Sequence, residues 1–91
     1  MPRYLFVTGK LAEPSLRRVL ADLAPRAGFD ADVAVLPITV AALMTTDWVA
    51  RHLPPPGPVD RVILPGFCRG DVAPVAAATG APVERAPHDL R

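Results

Sequence analysis

The sequence predicts an α/β fold: a small three-layer parallel sheet with element order βαβαβαβ and strand order 2-1-3-4. Three observations carry that prediction. Short runs rich in β-branched residues alternate with stretches of helical period, the runs end at Pro or Gly, and a chain of 91 residues has room for one core. At 51% hydrophobic and 21% charged residues the chain is composed as a packed domain, despite twelve prolines. With one Trp, one Tyr and three Phe, its core volume must come from Val, Leu, Ile and Ala. That suits helices laid closely on a sheet better than an aromatic-rich sandwich.

The first run, Arg3 to Gly9 (RYLFVTG), is apolar until it meets small polar residues, as a buried strand is when it leaves a sheet. Leu16, Val19, Leu20 and Leu23 then fall at helical spacing with Arg17, Arg18 and Asp22 pointing elsewhere. Pro14 fits the first turn, and Pro25 with Gly28 is read as the end of this helix. Asp32 to Leu36 (DVAVL) is the second strand, stopped by Pro37. Thr39 to Met44 is compatible with either a loop or a helical turn. Thr45 and Thr46 are both credible N-caps for a helix through Trp48, Val49, Arg51 and Leu53, which the stiff Pro54–Pro58 run (PPPGP) must end. Val59 to Leu64 (VDRVIL) is the third strand. Asp71 can cap a third helix through Val75 and Ala78 to Gly80, and Pro82 to Arg85 makes a short fourth strand.

A net charge of +1 gives no broad electrostatic footprint for nucleic acid or an anionic membrane, so neither is expected as a partner. The single cysteine, Cys68, cannot form an internal disulfide and points to a reducing compartment. No signal-peptide pattern opens the chain. The longest nearly uncharged stretch, Val33 to Met44, is broken by Pro37 and Thr39 and falls short of the about 20 apolar residues of a bilayer span. A cytoplasmic location is the expectation.

In open parallel sheets, ligands bind beyond the carboxyl ends of the strands, where strand order switches. Here those ends collect Thr8, Gly9, Lys10, Thr39, Cys68, Arg69, Gly70, Asp71, His88 and Asp89, while the opposite rim reads mostly as Pro, Gly and Ala. In VTGK, Gly9 permits a close backbone approach and Lys10 supplies a charge for phosphate or carboxylate; the plainer reading is a βα turn beside a solvated lysine. A P-loop is excluded, because Tyr4 stands where its first glycine belongs and Leu11 where its Ser or Thr belongs. No GxGxxG fingerprint is present either.

The second loop, PGFCRGD, is denser. Gly66 and Gly70 loosen its backbone, Arg69 can grip an oxyanion, and Asp71 can cap the following helix or pair with Arg69. Cys68 is either a thiol activated by its surroundings or, more plainly, a small core residue. Its only potential bases are His52 and His88, neither of which the sequence places beside it, so no catalytic residue is assigned. Two isolated His and one Cys offer no metal-ligand spacing, and no cofactor is expected. Arg17 and Arg18 read as a solvated face and Trp48 as core. A phosphorelay receiver is disfavoured, since Thr8 and Pro65 occupy places where such a site clusters acids.

The ordered segments VTGKLAEPSLRRVL, AVLPITVAALMTTDWVARHL, DRVILPGFCRGD and APVERAPHDLR resemble the N-terminal domain of the dihydropteroate synthase-like proteins of archaea and methylotrophic bacteria. The resemblance spans essentially the whole chain, with VAALMTTDWVARHL and ILPGFCRGD its most specific parts. His88 departs from the family's GPKDL pattern, which here reads APHDL. The resemblance implies an accessory domain followed, in the same polypeptide, by a pterin-binding barrel. It also implies a role in tetrahydromethanopterin biosynthesis, where a pterin pyrophosphate is joined to a ribosylated aminobenzene phosphate. On that view the transferase chemistry belongs to the barrel. The rim of Thr8–Lys10, Thr39 and Cys68–Asp71 would bind a phosphate-bearing small molecule or dock the barrel. A docking domain or homodimer with no ligand site of its own is the alternative, suggested by Trp48, Leu90 and a missing outer layer.

Overall fold

The computed structural model describes residues 2–39, 44–54, 57–66 and 68–85. In chain order the elements are β1 (Arg3–Thr8), α1 (Glu13–Ala27), β2 (Asp30–Val35), α2 (Thr46–His52), β3 (Arg61–Leu64), α3 (Ala73–Thr79) and β4 (Val83–Arg85). The strands form one sheet in the order β2-β1-β3-β4, every neighbouring pair parallel. This is the α/β class and the 2-1-3-4 order that the sequence predicts. Phe6 of β1 sits between Val33 of β2 and Ile63 of β3, which fixes the register across the centre of the sheet.

Alternation along β1 divides the core in two. Leu5 and Val7 face one side, joining Leu36, Met44, Val49, Val62, Leu64, Cys68, Val75 and Ala81 under α2 and α3. Phe6 faces the other, joining Leu16, Leu20, Ala24 and Phe29 under α1. The chain steps from β1 to β2 in one direction and then crosses back over β1 to β3. Right-handed crossovers in opposite directions place their helices on opposite faces. The crevice at the β1–β3 junction therefore opens between α1 on one side and α2 on the other, above the ends of the two central strands.

The first helix departs from expectation twice. Pro25 lies inside it rather than ending it. The proline forgoes one bond to the Ala21 carbonyl, but the amides of Gly28 and Phe29 both close on the Ala24 carbonyl at 2.9 and 3.1 Å, and Gly28 terminates the helix at φ +79°. Its buried stripe is Leu16, Leu20 and Ala24, whereas Val19 and Leu23 are each 38% exposed. α1 lies over the β1–β2 half of the sheet. No helix covers the β3–β4 half of that face among the described residues, so the flank of α1 turned toward it stays open.

The remaining differences are at element ends. β2 begins at Asp30, two residues early, because the Asp30 amide already bonds the Pro2 carbonyl at 2.8 Å. β3 begins at Arg61 and not at Val59, and β4 at Val83. Thr45 and not Thr46 caps α2: its Oγ1 accepts the Trp48 amide at 3.2 Å. Trp48 is half-buried and stacks on His52, with ring centroids 4.2 Å apart. The loop-or-helix question at 40–43, positions 55 and 56 of the proline run, the rim positions His88 and Asp89, and the docking candidate Leu90 lie outside the described residues.

Candidate functional site

The carboxyl-end rim is built from three loops joined by backbone hydrogen bonds. Beyond the last β1–β2 pair, the Leu36 amide bonds the Thr8 carbonyl at 2.9 Å, the Lys10 amide the Ile38 carbonyl at 2.8 Å, and the Leu11 amide the Thr39 carbonyl at 3.3 Å. The β1–α1 loop thus runs alongside the start of the β2–α2 connection. The far end of that connection is held by the β3–α3 loop. There the Thr46 amide bonds the Arg69 carbonyl at 2.8 Å and the Arg69 amide the Met44 carbonyl at 3.3 Å, a parallel bridge between Thr45 and Arg69.

Within that frame the candidate residues separate by role. Thr8 is buried, and its hydroxyl lies 3.4 Å from the Gly9 carbonyl; Gly9 is buried beside it. Lys10, Thr39 and Arg69 are exposed, and none of the ion pairs among the described residues uses Lys10 or Arg69. Asp71 is not the N-cap of α3: Val72 holds that position without a side-chain cap bond, and the Asp71 carboxylate instead accepts the Ala73 amide at 2.9 Å in the turn that leads into the helix. Cys68 is 2% exposed in the core beneath α2 and α3. Burial pushes its thiol above the ordinary value of 9.0, and the opposing pull of the Arg85 cation is smaller. The thiol is held neutral, which suits a packing residue and not a nucleophile.

Two residues outside the expected set complete the β3–α3 loop. Arg85, the last residue of β4, donates from Nε to the Cys68 carbonyl at 2.7 Å and from Nη2 to the Gly70 carbonyl, clamping both sides of Arg69. Thr46 is 2% exposed, and its hydroxyl occupies the space a Cβ on Gly70 would need. Gly70 stands at φ +112°, so both its conformation and its neighbour require glycine. An arginine closing the last strand was a visible cue for Arg85. The contact between Thr46 and Gly70 depends on tertiary packing, and no sequence pattern announces it.

Among the described residues no group of three His, Cys, Asp or Glu side chains is placed to hold a metal ion. No helix there is long and apolar enough to cross a membrane. A family model matches residues 2–88, nearly the whole chain. The chain belongs to the DUF6513 family, a family of unknown function. No curated protein and no solved structure matches the chain. The rim is therefore the physical basis for a functional reading within DUF6513: a hydrogen-bonded backbone frame from which Lys10 and Arg69 project, neither of them in an ion pair among the described residues.

Proposed function

We propose that this chain is the accessory α/β domain of a cytoplasmic, dihydropteroate synthase-like enzyme, and that its carboxyl-end rim binds a phosphate-bearing small molecule. The observation that supports the binding role is the pair of exposed cations, Lys10 and Arg69, carried on loops tied to opposite ends of one connection. Asp71 forms no ion pair with either cation among the described residues, its carboxylate accepting the Ala73 amide instead. Arg85 contributes indirectly by fixing the carbonyls on either side of Arg69. No catalytic role is proposed for the neutral, buried Cys68.

The ligand classes that fit the resemblance are a pterin pyrophosphate and an aryl ribose phosphate, with the condensation performed by a downstream pterin-binding barrel. Calorimetric titration of the chain with each ligand, and with inorganic pyrophosphate, tests the proposal. Binding should weaken with added salt, and Lys10→Ala or Arg69→Ala should each reduce affinity by about 10- to 100-fold, the range for losing one charge-assisted hydrogen bond. Arg17→Ala, which removes a cation paired with Glu13 on α1, should leave affinity unchanged. Equal affinity in parent, Lys10→Ala and Arg69→Ala would refute the rim as an anion site.

A further inference from the structure

Arg85 stands opposite Leu64 in the β3–β4 register, at the carboxyl end of the sheet beside the β3–α3 loop. Like Lys10 and Arg69, it forms no ion pair among the described residues. Unlike them, its side chain is held. Nε and Nη2 donate to the Cys68 and Gly70 carbonyls, which fixes the plane of the guanidinium. Both Nη1 protons and the second proton on Nη2 have no partner among the described residues. The Nε bond is part-buried and the Nη2 bond lies at the surface, so the remaining edge of the group is its outer one.

The two carbonyls satisfy donors but carry no net charge, and the acidic groups around Arg85 are engaged elsewhere. The Asp71 carboxylate accepts the Ala73 amide. Glu84 precedes Arg85 in β4, lies on the opposite face by alternation, and pairs with Arg61. The Cys68 thiol is neutral and supplies no counter-charge. Arg69 projects from the very segment that Arg85 clamps. The β3–α3 loop therefore carries two neighbouring cations without a carboxylate partner, one on an exposed side chain and one fixed in place.

We infer that Arg85 itself contacts the ligand: its outer edge grips a terminal phosphate on which Arg69 closes, and the two guanidinia select a phosphate dianion over singly charged anions. This rests on the reading of the rim as an anion site and gives Arg85 a part beyond placing Arg69. A guanidinium already fixed by two carbonyls loses little freedom on binding, whereas the exposed Lys10 and Arg69 side chains must be ordered. A phosphate monoester or the end of a pyrophosphate matches two cations in charge. A carboxylate or a phosphodiester, with one negative charge, leaves one cation uncompensated.

Calorimetric titration of the full chain at about pH 7.5, where a phosphate monoester is largely doubly charged, tests the inference. Phenyl phosphate should bind at least about tenfold more tightly than its singly charged diester, methyl phenyl phosphate. Arg85→Gln keeps a donor for the loop but removes the charge. It should weaken pyrophosphate binding by about 10- to 100-fold, and by a similar factor when Arg69 is already alanine. A residue that acts only by placing Arg69 loses its effect once the Arg69 side chain is gone. Arg85→Lys should recover part of the affinity. As a readout that keeps Arg85 in place, pyrophosphate should shift the Arg85 Nε–H resonance of the Arg69→Ala chain. If binding depends on Lys10 and Arg69, yet Arg85→Gln adds no loss in the Arg69→Ala chain and the resonance does not move, the inference is overturned and the anion site stands. Equal affinity for monoester and diester overturns the charge selection. No binding by the parent chain overturns the anion site and this inference with it.

Discussion

Substituting Gly70 by alanine tests how the candidate site is held. Gly70 adopts φ +112°, where an L side chain is strained by about 1–3 kcal/mol. The added Cβ also meets Thr46 Oγ1 well inside contact distance. Thr46 is 2% exposed and sits in the first turn of α2, so it has little room to turn away. Overpacking of this kind costs about 1–3 kcal/mol. Together the two effects predict a loss of about 2–6 kcal/mol in urea unfolding, a large share of the stability of a domain this size. A second substitution separates them. In a Thr46→Ala background the steric part disappears, and Gly70→Ala should cost only the backbone part, so the two changes couple favourably by at least about 1 kcal/mol. If Gly70→Ala costs under about 0.5 kcal/mol, or costs the same with and without Thr46, the geometry argued for this loop is wrong.

The neutral thiol of Cys68 makes a pH prediction. Its folded pKa is raised above the ordinary 9.0, so the folded chain keeps a proton that the unfolded chain releases. The contribution is fully present below about pH 9 and is lost as pH rises toward the folded value. Urea unfolding between about pH 8 and pH 10 should show a decline that Cys68→Ala lessens. An aromatic disulfide reagent should label the native thiol far more slowly than the unfolded one; equal rates would refute its burial. Thr45→Ala should cost about 1 kcal/mol through loss of the α2 cap, with Thr45→Ser restoring most of it, as read by thermal unfolding. Arg85→Gln should cost about 1–2 kcal/mol and loosen Arg69, seen as faster hydrogen exchange at the Arg69 amide with little change at Leu20.

The sheet was legible because each of its strands announces itself locally. The β-branched runs end at Pro or Gly, and a parallel sheet assembled from successive crossovers has few topologies open to it. What the sequence conveyed less well was the depth of burial of single positions. The 2-1-3-4 order already makes β2 an outer strand, and there Val33 and Val35 are half-buried although their residue type suits an interior. Val19 and Leu23 satisfy helical spacing as well as Leu16 and Leu20 do; only the open half of the α1 face separates them. Pro25 looked terminal because proline usually is, and the double closure on the Ala24 carbonyl is a detail of capping that spacing does not encode.

The site was legible in the same uneven way. That the polar residues gather at one end of the sheet follows from strand direction, and Lys10, Thr39 and Arg69 are exposed there. Yet residues chosen for their chemistry include several whose work is structural: Asp71 accepts the Ala73 amide in the turn before α3, Gly70 yields space to Thr46, and Cys68 fills the core. The residue that organises the loop, Arg85, lies fifteen positions from Gly70 in the chain and reaches it only because β4 is parallel to β3. This division carries a mechanical consequence. The three rim loops are held to one another chiefly through backbone amides and carbonyls, with Arg85 reinforcing those carbonyls. The side chains of Lys10, Thr39 and Arg69 can therefore be exchanged without dismantling the frame that presents them. Substitutions at those three positions should report on ligand binding with little change in stability, whereas substitutions at Gly70, Thr46 or Arg85 should perturb both.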